Sequence, residues 1–451
     1  MQFRFFSLLP FALTCGVHAQ AQSLQEAIQQ ALNTHPEIQA GVNSRLAAEQ
    51  QLKAARGGYL PRVDLLAGIG REGTDNPSTR AGAGSNDWRT LTRSESSIRL
   101  QQMVFDGFAT AGEVGRQEAT VNARAYSLKG NAEGTALDVV QVYLDVLKRE
   151  ELVRLAETNL SSHTRLYDQI TLRSERGVGR LADLDQAEAR LAQAKNNLIT
   201  EQTNLADART NYFSMVGQEA DQLERPAGLP GQLPESLDDA RRELLENSPI
   251  LRSAEADVVA TEQQYSAAKS TFYPRFDAEL SRAADNNIDG VEGHSNEWQA
   301  MLRMRYNLYS GGSNKADMEA KSYQVNEALD IRNNALRTLN EELGLAWNAL
   351  HNARQQVPVA QQYADYSVRV RNGYQKQFSL SERTLLDVLD SENELFTAQR
   401  RLADLTYLEL FSQYRIKAVT GALLKSQSVV APLAANAISE VRTQVALPGL
   451  N

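Results

Sequence analysis

The chain repeats itself. The run Ala48-Glu49-Gln50-Gln51 returns as Thr261-Glu262-Gln263-Gln264 at an offset of 213. The same offset relates Pro36 to Pro249 and Tyr59-Leu60-Pro61-Arg62-Val63-Asp64 to Phe272-Tyr273-Pro274-Arg275-Phe276-Asp277. Farther along the offset is 204: Phe105-Asp106-Gly107 pairs with Tyr309-Ser310-Gly311, Tyr143 with Trp347, and Val216-Gly217 with Thr420-Gly421. Agreement at constant offset over this length marks an internal duplication, so the fold must place two equivalent units together. The first copy carries nine extra residues between Pro61 and Phe105, where Thr74–Asp87 is rich in Gly, Ser, Asn and Pro and predicts an exposed loop. The expected organisation is an N-terminal segment 1–19, a first repeat 20–217, a linker 218–236, a second repeat 237–421 and a tail 422–451. The linker is marked by Pro226, Gly228, Pro230, Gly231 and Pro234.

Within each copy the hydrophobic period changes twice. Residues 24–56 and 237–270 read as helix, with Leu24, Ala27, Ile28, Ala31 and Leu32 on one stripe. Next, Trp298, Ala300, Leu302, Met304, Tyr306 and Leu308 alternate with Gln299, Met301, Arg303, Arg305 and Asn307, the pattern of a strand with one apolar and one mostly polar face. Its partner spans about Phe272 to Arg282, with the turn at Asp285-Asn286-Asn287, Gly290 and Gly293. The first copy offers Pro61–Gly70 and Ser96–Phe105 as the equivalent pair. Four such strands suit the wall of a membrane-crossing barrel, or else a soluble hairpin packed on helices, and four alone cannot close a barrel of useful bore. The remainder is helical: 108–175, 312–376, 183–216 and 384–420 hold no proline except Pro358. A run of 65 residues spans on the order of 100 Å, too long for an ordinary globule. Leu184, Leu191, Leu198, Leu205 and Tyr212 stand seven apart, and Ala187, Ala194, Glu201, Ala208 and Met215 follow three later. These positions read as close coiled-coil packing.

Composition removes several functions. With 47 Lys+Arg against 56 Asp+Glu, the net charge of −9 disfavours a nucleic-acid binder. A mean hydropathy of −0.44 and the lack of any apolar run of 18 residues exclude a bundle of transmembrane helices. The histidines (His18, His35, His163, His294, His351) are scattered and Cys15 is the single cysteine, so neither a zinc site nor a Ser/His or Cys/His arrangement is expected. No cofactor and no enzymatic activity are expected. Met1–Arg4, the apolar Phe5–Val17 and Val17-His18-Ala19 read as an export signal cut after Ala19, with Ala21 as the alternative. Lipidation at Cys15 competes with this reading, although Thr14 is a poor match before the cysteine.

Two motifs remain. Gly68-Ile69-Gly70-Arg71-Glu72-Gly73 is formally GxGxxG, but Thr74-Asp75-Asn76-Pro77 cannot open the helix that would cradle a pyrophosphate. Arg383-Thr384-Leu385-Leu386-Asp387-Val388-Leu389-Asp390 opens the last long helix. Asp387 and Asp390 share a face, Arg383 lies one turn before Asp387, and Asp183 is the first-copy counterpart of Asp387. Helix-start carboxylates favoured by the dipole account for the same residues.

With these features the chain resembles the TolC family of outer-membrane channel proteins, over nearly all of 24–421. The resemblance implies a mainly α fold with a β-barrel part. A homotrimer would lend four strands per protomer to a twelve-stranded barrel in outer-membrane lipid, and its helices to an α-barrel crossing the periplasm. Trp298, Leu302, Met304 and Tyr306 would then face lipid, and Arg303 and Arg305 the lumen. The family's periplasmic tip is closed by helix ends. Asp387 and Asp390 match the aspartates of its VDVLD-like motif, Asp183 matches the first-copy partner, and Arg383 matches the gating arginine. Phe378 stands where some members have tyrosine, removing a hydroxyl contact from that constriction, and Ser381 where glycine is usual. Implied partners are a periplasmic adaptor and an inner-membrane ABC transporter or proton-driven pump. The segment Tyr374-Gln375-Lys376-Gln377-Phe378-Ser379-Leu380 is similar to members serving type I secretion of proteins. Small-molecule efflux is the alternative, and an exported coiled-coil scaffold the reading from another class.

Overall fold

The computed structural model describes residues 22–82, 88–177 and 180–445. The expected export segment, with Cys15, lies outside the described residues, as does part of the Thr74–Asp87 loop. Helices α1 (Leu24–Thr34) and α2 (Pro36–Arg56) lead into β1 (Arg62–Thr74), the short α3 (Pro77–Gly82) and β2 (Arg89–Phe105), followed by α4 (Ala109–Glu175) and α5 (Leu181–Val216). The second copy repeats the order without a counterpart of α3 among the described residues: α6 (Leu237–Asn247), α7 (Pro249–Ala268), β3 (Arg275–Asn286), β4 (His294–Arg305), α8 (Ser313–Ser379) and α9 (Leu385–Val419). A four-residue α10 (Leu423–Ser426) begins the tail.

Each copy departs from the expected single opening helix, and proline is the reason. Ser23 caps α1 in a reciprocal capping box with Glu26, but His35 is extended at ψ 127°, because a residue preceding proline is pushed out of the α region. Pro36 then starts α2 at a position where no N–H is needed. Ser248 and Pro249 do the same between α6 and α7. The strands of the first copy run longer than expected, and the glycine-rich GxGxxG run lies inside β1, so no helix N-terminus faces it. Part of the expected exposed loop is the helix α3.

The four strands form one antiparallel sheet in the order β1-β2-β3-β4. Its two hairpin ends are tied together, with Asn76 Nδ2 donating to Asp289 O (2.8 Å) and Asn287 Nδ2 to Thr92 O (2.9 Å). At the opposite end β2 turns into α4 through Gly107 at φ +67°, where an added Cβ would meet Ser270 O and Tyr273 Cβ at 2.7 Å. Only glycine satisfies both the backbone angle and that close approach.

From this junction α4 and α8, 67 residues each, run about 100 Å. The shorter helices lie along them: α2 and then α5 on α4, α7 on both long helices, and α9 on α8 and α4. The main core forms midway, where α1 meets α4, α5 and α9 around fully buried Tyr143, Tyr212 and Tyr414. The Tyr143 hydroxyl lies 2.7 Å from Gln22 O and 2.6 Å from Glu224 O, joining the chain before α1 to the linker. The tail runs back along α4 from this core toward the sheet: Glu133 Oε2 accepts from Leu423 N at 3.0 Å and Leu424 N at 3.2 Å, and, farther along, Asn122 Oδ1 accepts from Ile438 N at 2.8 Å.

Candidate functional site: the two sheet faces and the helical tip

Cross-strand register sorts the sheet into two unlike faces. On one, Leu65, Ile98, Arg282 and Trp298 form a row, followed by Val63, Leu100, Leu280 and Ala300, and then by Gln102, Ala278 and Leu302. The large apolar side chains of this face have nothing over them in the protomer: Leu65 is 77% exposed, Ile69 82%, Trp298 77% and Leu302 67%. Exposed apolar surface of this extent marks a membrane or protein contact. On the other face, rows such as Asp64, Arg99, Ser281 and Gln299, or Met103, Asp277 and Arg303, carry most of the charge, Arg71 and Arg282 being the exceptions on the apolar face. Arg303 pairs with Glu279 at 3.0 Å, Arg305 with Glu279 at 3.5 Å, and Arg93 with Glu72 at 2.8 Å and Glu95 at 2.7 Å. Trp298, Leu302 and Met304 share the apolar face, and Arg303 and Arg305 the polar one. Tyr306 does not belong to the strand, because β4 ends at Arg305.

At the far end of the long helices the two hairpins meet in a small core. Leu166 and Ile170 of α4, Ala187 of α5, Phe378 of α8, and Leu385, Val388 and Leu389 of α9 pack together. Phe378 is only 7% exposed, with Arg173 stacked on its ring at 4.7 Å. The expectation that it lines a constriction is therefore corrected: its ring is spent on closing this core. The turn after α8 places Ser381 at φ +61°, and its first-copy counterpart Gly177 at φ +74°. The left-handed turn that favours glycine thus persists, with serine bearing it in the second copy.

The tip charges are arranged by helix starts. Thr384 caps α9, with Asp387 as the reciprocal member of the capping box. The bond from the Thr384 hydroxyl, then the Thr384 N–H and the Arg383 guanidinium beside it, hold the Asp387 carboxyl below its usual range. Arg383 lies 3.7 Å from Asp387, stacks on Tyr374 at 4.3 Å, and donates to Gln377 Oε1 at 3.1 Å. Asp390 instead reaches across to α5, pairing with Arg190 at 2.9 Å. Asp183 sits in the first turn of α5. Arg383 and Asp387 are thus joined to each other, whereas Asp390 bonds the other hairpin. Arg190 was not visible from sequence, because it lies 200 residues from its partner. The Thr384-x-x-Asp387 spacing could have revealed the cap.

A model of the family described as "Outer membrane efflux protein" matches residues 27–218 and again 240–422. The chain belongs to that family. It is 24% identical over 424 residues to the outer membrane efflux protein BepC of Brucella suis, covering 93% of this chain and 90% of that one. It is 22% identical to the outer membrane protein TolC of Escherichia coli, covering 90% and 83%. It is also 22% identical to the proteases secretion protein PrtF of Dickeya chrysanthemi, covering 90% of each. Among solved structures it resembles the CmeC outer membrane channel of Campylobacter jejuni, at TM-score 0.79 and 17% identity over 89% of this chain and 86% of that one. The efflux-family chain is accordingly an outer-membrane channel protein with a TolC-like fold. Among the described residues no helix is long and apolar enough to cross a membrane, and no group of three or more acidic, His or Cys side chains could hold a metal ion.

Proposed function

We propose that three copies of this chain close a twelve-stranded barrel in the outer membrane, their helices forming a duct through the periplasm. The carrying observation is the sheet: among the described residues both edge strands, β1 and β4, are bare, and one face carries most of the charge while the other is largely apolar and uncovered. An isolated sheet of this kind exposes two rows of unpaired backbone groups, which lipid cannot satisfy. Pairing β4 of one copy with β1 of the next removes both edges, turns the charged face inward and presents the apolar face to lipid. The chain carries out no catalytic step and holds no cofactor. It is a passive duct, driven through a periplasmic adaptor by an inner-membrane ABC transporter.

At the tip, Asp387 and Asp390 repeated by threefold symmetry make an electronegative mouth, with Asp183 beside it and Arg383 as local counter-charge. Replacing both aspartates with Ala removes six charges per trimer. In planar bilayers that variant should lose block by a trivalent cation added on the periplasmic side, while trimer yield stays constant. Unchanged block refutes the assignment of these carboxylates to the mouth. The cargo is a protein exported by type I secretion: the Tyr374–Leu380 segment and the likeness to a protein named for protease secretion support this reading. Efflux of small molecules, for which the likeness to BepC speaks, is the second reading. Deleting the gene separates them. Loss of one large extracellular protein with unchanged drug tolerance supports secretion, and the reverse supports efflux.

A further inference from the structure

We propose that Glu201 is the fulcrum of a hinge in the α8–α9 hairpin, placed where Pro358 interrupts α8. The proposal rests on the duct reading above and takes the helical tip as the duct's gate. The stripe by which α5 packs is built of small residues, Ala187, Ala194 and Ala208, each 2% exposed, and Glu201 breaks it at equal depth. The equivalent second-copy position holds Leu405, buried at 4%. A buried carboxylate is a poor source of stability but a strong constraint on register, because each partner must stay in place. Here the partners come from two other helices: Arg400 of α9 at 2.8 Å and Arg149 of α4 at 3.8 Å. Glu201 therefore pins the second hairpin to the first at one level.

At that level α8 is weakest. Pro358 lies in its interior and has no N–H to donate to Arg354 O, so the helical ladder loses a rung. The bond from Arg401 to Gln356 Oε1, at 3.1 Å, puts Pro358 within a turn of Arg400. Above the pin α9 is fixed, with Tyr407, Leu410 and Tyr414 buried in the central core. Below it, the links between hairpins among the described residues include the tip core, the Arg173–Phe378 stack and the Arg190–Asp390 pair. The free arm is about 22 Å of α9, from Arg400 to Leu385, and about 32 Å of α8, from Pro358 to Ser379. Once the tip links part, this arm swings and the rest of the hairpin stays.

The mature chain carries no cysteine under the expected processing, so spin-label pairs can be introduced cleanly into the full-length protein, diluted with unlabelled protomers. Ala189→Cys with Asn393→Cys reports below the pin, and Ala206→Cys with Leu408→Cys above it. In an Asp390→Ala background the lower distance distribution should broaden at least twofold while the upper one stays as it was. Adding Pro358→Ala should restore the lower width. Adding Glu201→Gln should instead widen the lower distribution further, because the arm then pivots from the central core, and no further widening refutes Glu201 as the fulcrum. Equal movement of both pairs, or no effect of Pro358→Ala, overturns the hinge. Single-channel conductance of the same proteins keeps the two ideas apart: distances that shift without any change in conductance refute the gate and leave the hinge standing.

Discussion

Glu133 offers the sharpest physical test of how the tail is held. Its carboxylate is 3% exposed in α4 and accepts the first two N–H groups of α10, from Leu423 and Leu424. Burial pushes its pKa from the ordinary 4.5 up to about 7, against the opposing pull of those two bonds and of Lys129. The folded protein therefore holds this proton to a higher pH than a chain in which the tail has come away. Docking of the tail is strongest below about pH 4.5 and weakens as pH rises to about 7, then levels off. The interval corresponds to about 3 kcal/mol, or a few hundredfold in the docking equilibrium. Glu133→Gln keeps an acceptor oxygen and removes the titration. Hydrogen exchange at Leu423–Ser426, each rate referred to its intrinsic value, measures the opening directly. Wild-type protection should fall between pH 5 and 8 and that of Glu133→Gln stay level, so that the variant is the better protected at pH 8. Parallel profiles, or wild-type protection that rises with pH, would refute burial as the dominant effect.

Other positions test the sheet, the tip turn and the core. Leu302→Arg should cost about 2–4 kcal/mol of barrel stability near the bilayer midplane, whereas Arg303→Leu should preserve the trimer and change only conductance, as gel mobility and planar bilayers would show. Ser381→Gly should stabilise the tip by on the order of 0.5 kcal/mol, since relief of the left-handed angle outweighs the added freedom of the unfolded chain. Gly177→Ala, in open space at φ +74°, should destabilise by about 1 kcal/mol in thermal unfolding. Tyr143→Phe removes a hydroxyl whose single hydrogen serves one of Gln22 O and Glu224 O at a time, while Gln22 O keeps the Glu224 N–H at 3.1 Å, so stability should fall by about 1 kcal/mol.

The architecture was legible because long helices and barrel strands are periodic in the chain itself. The alternation from Trp298 to Met304 is the alternation of faces in β4, and the proline-free stretches are α4, α5, α8 and α9 apart from Pro358. Element ends were less legible. His35 and Ser248 break what a stripe alone reads as one helix, and Tyr306 continues the alternation in sequence after β4 has ended. The site was legible only where its chemistry is local. Arg383, Asp387 and the capping Thr384 lie within one turn, whereas the partners of Asp390 and Glu201 are set by how hairpins pack. Phe378 was placed by analogy with a residue that carries a hydroxyl. Without one, the ring turns to the apolar interior.

The places where the two copies differ have a common physical character. Along the shorter helices many equivalent positions hold like side chains, Leu191 with Leu395, Leu198 with Leu402 and Ala194 with Ala398, because both hairpins must satisfy the same close helix packing. They part at Gly177 and Ser381, at Glu201 and Leu405, and inside the long helices, where Pro358 of α8 takes the place that Arg154 holds in α4. Each difference changes how the second hairpin is held against the first. Serine stiffens the turn relative to glycine, Glu201 fixes one level of α9 to α5 and α4, and proline softens α8 at that level. A duplicated protomer whose copies were mechanically identical would have no reason to move one hairpin before the other. With these three differences α4–α5 remains a continuous, well-laddered support, and α8–α9 is the element that can bend against it.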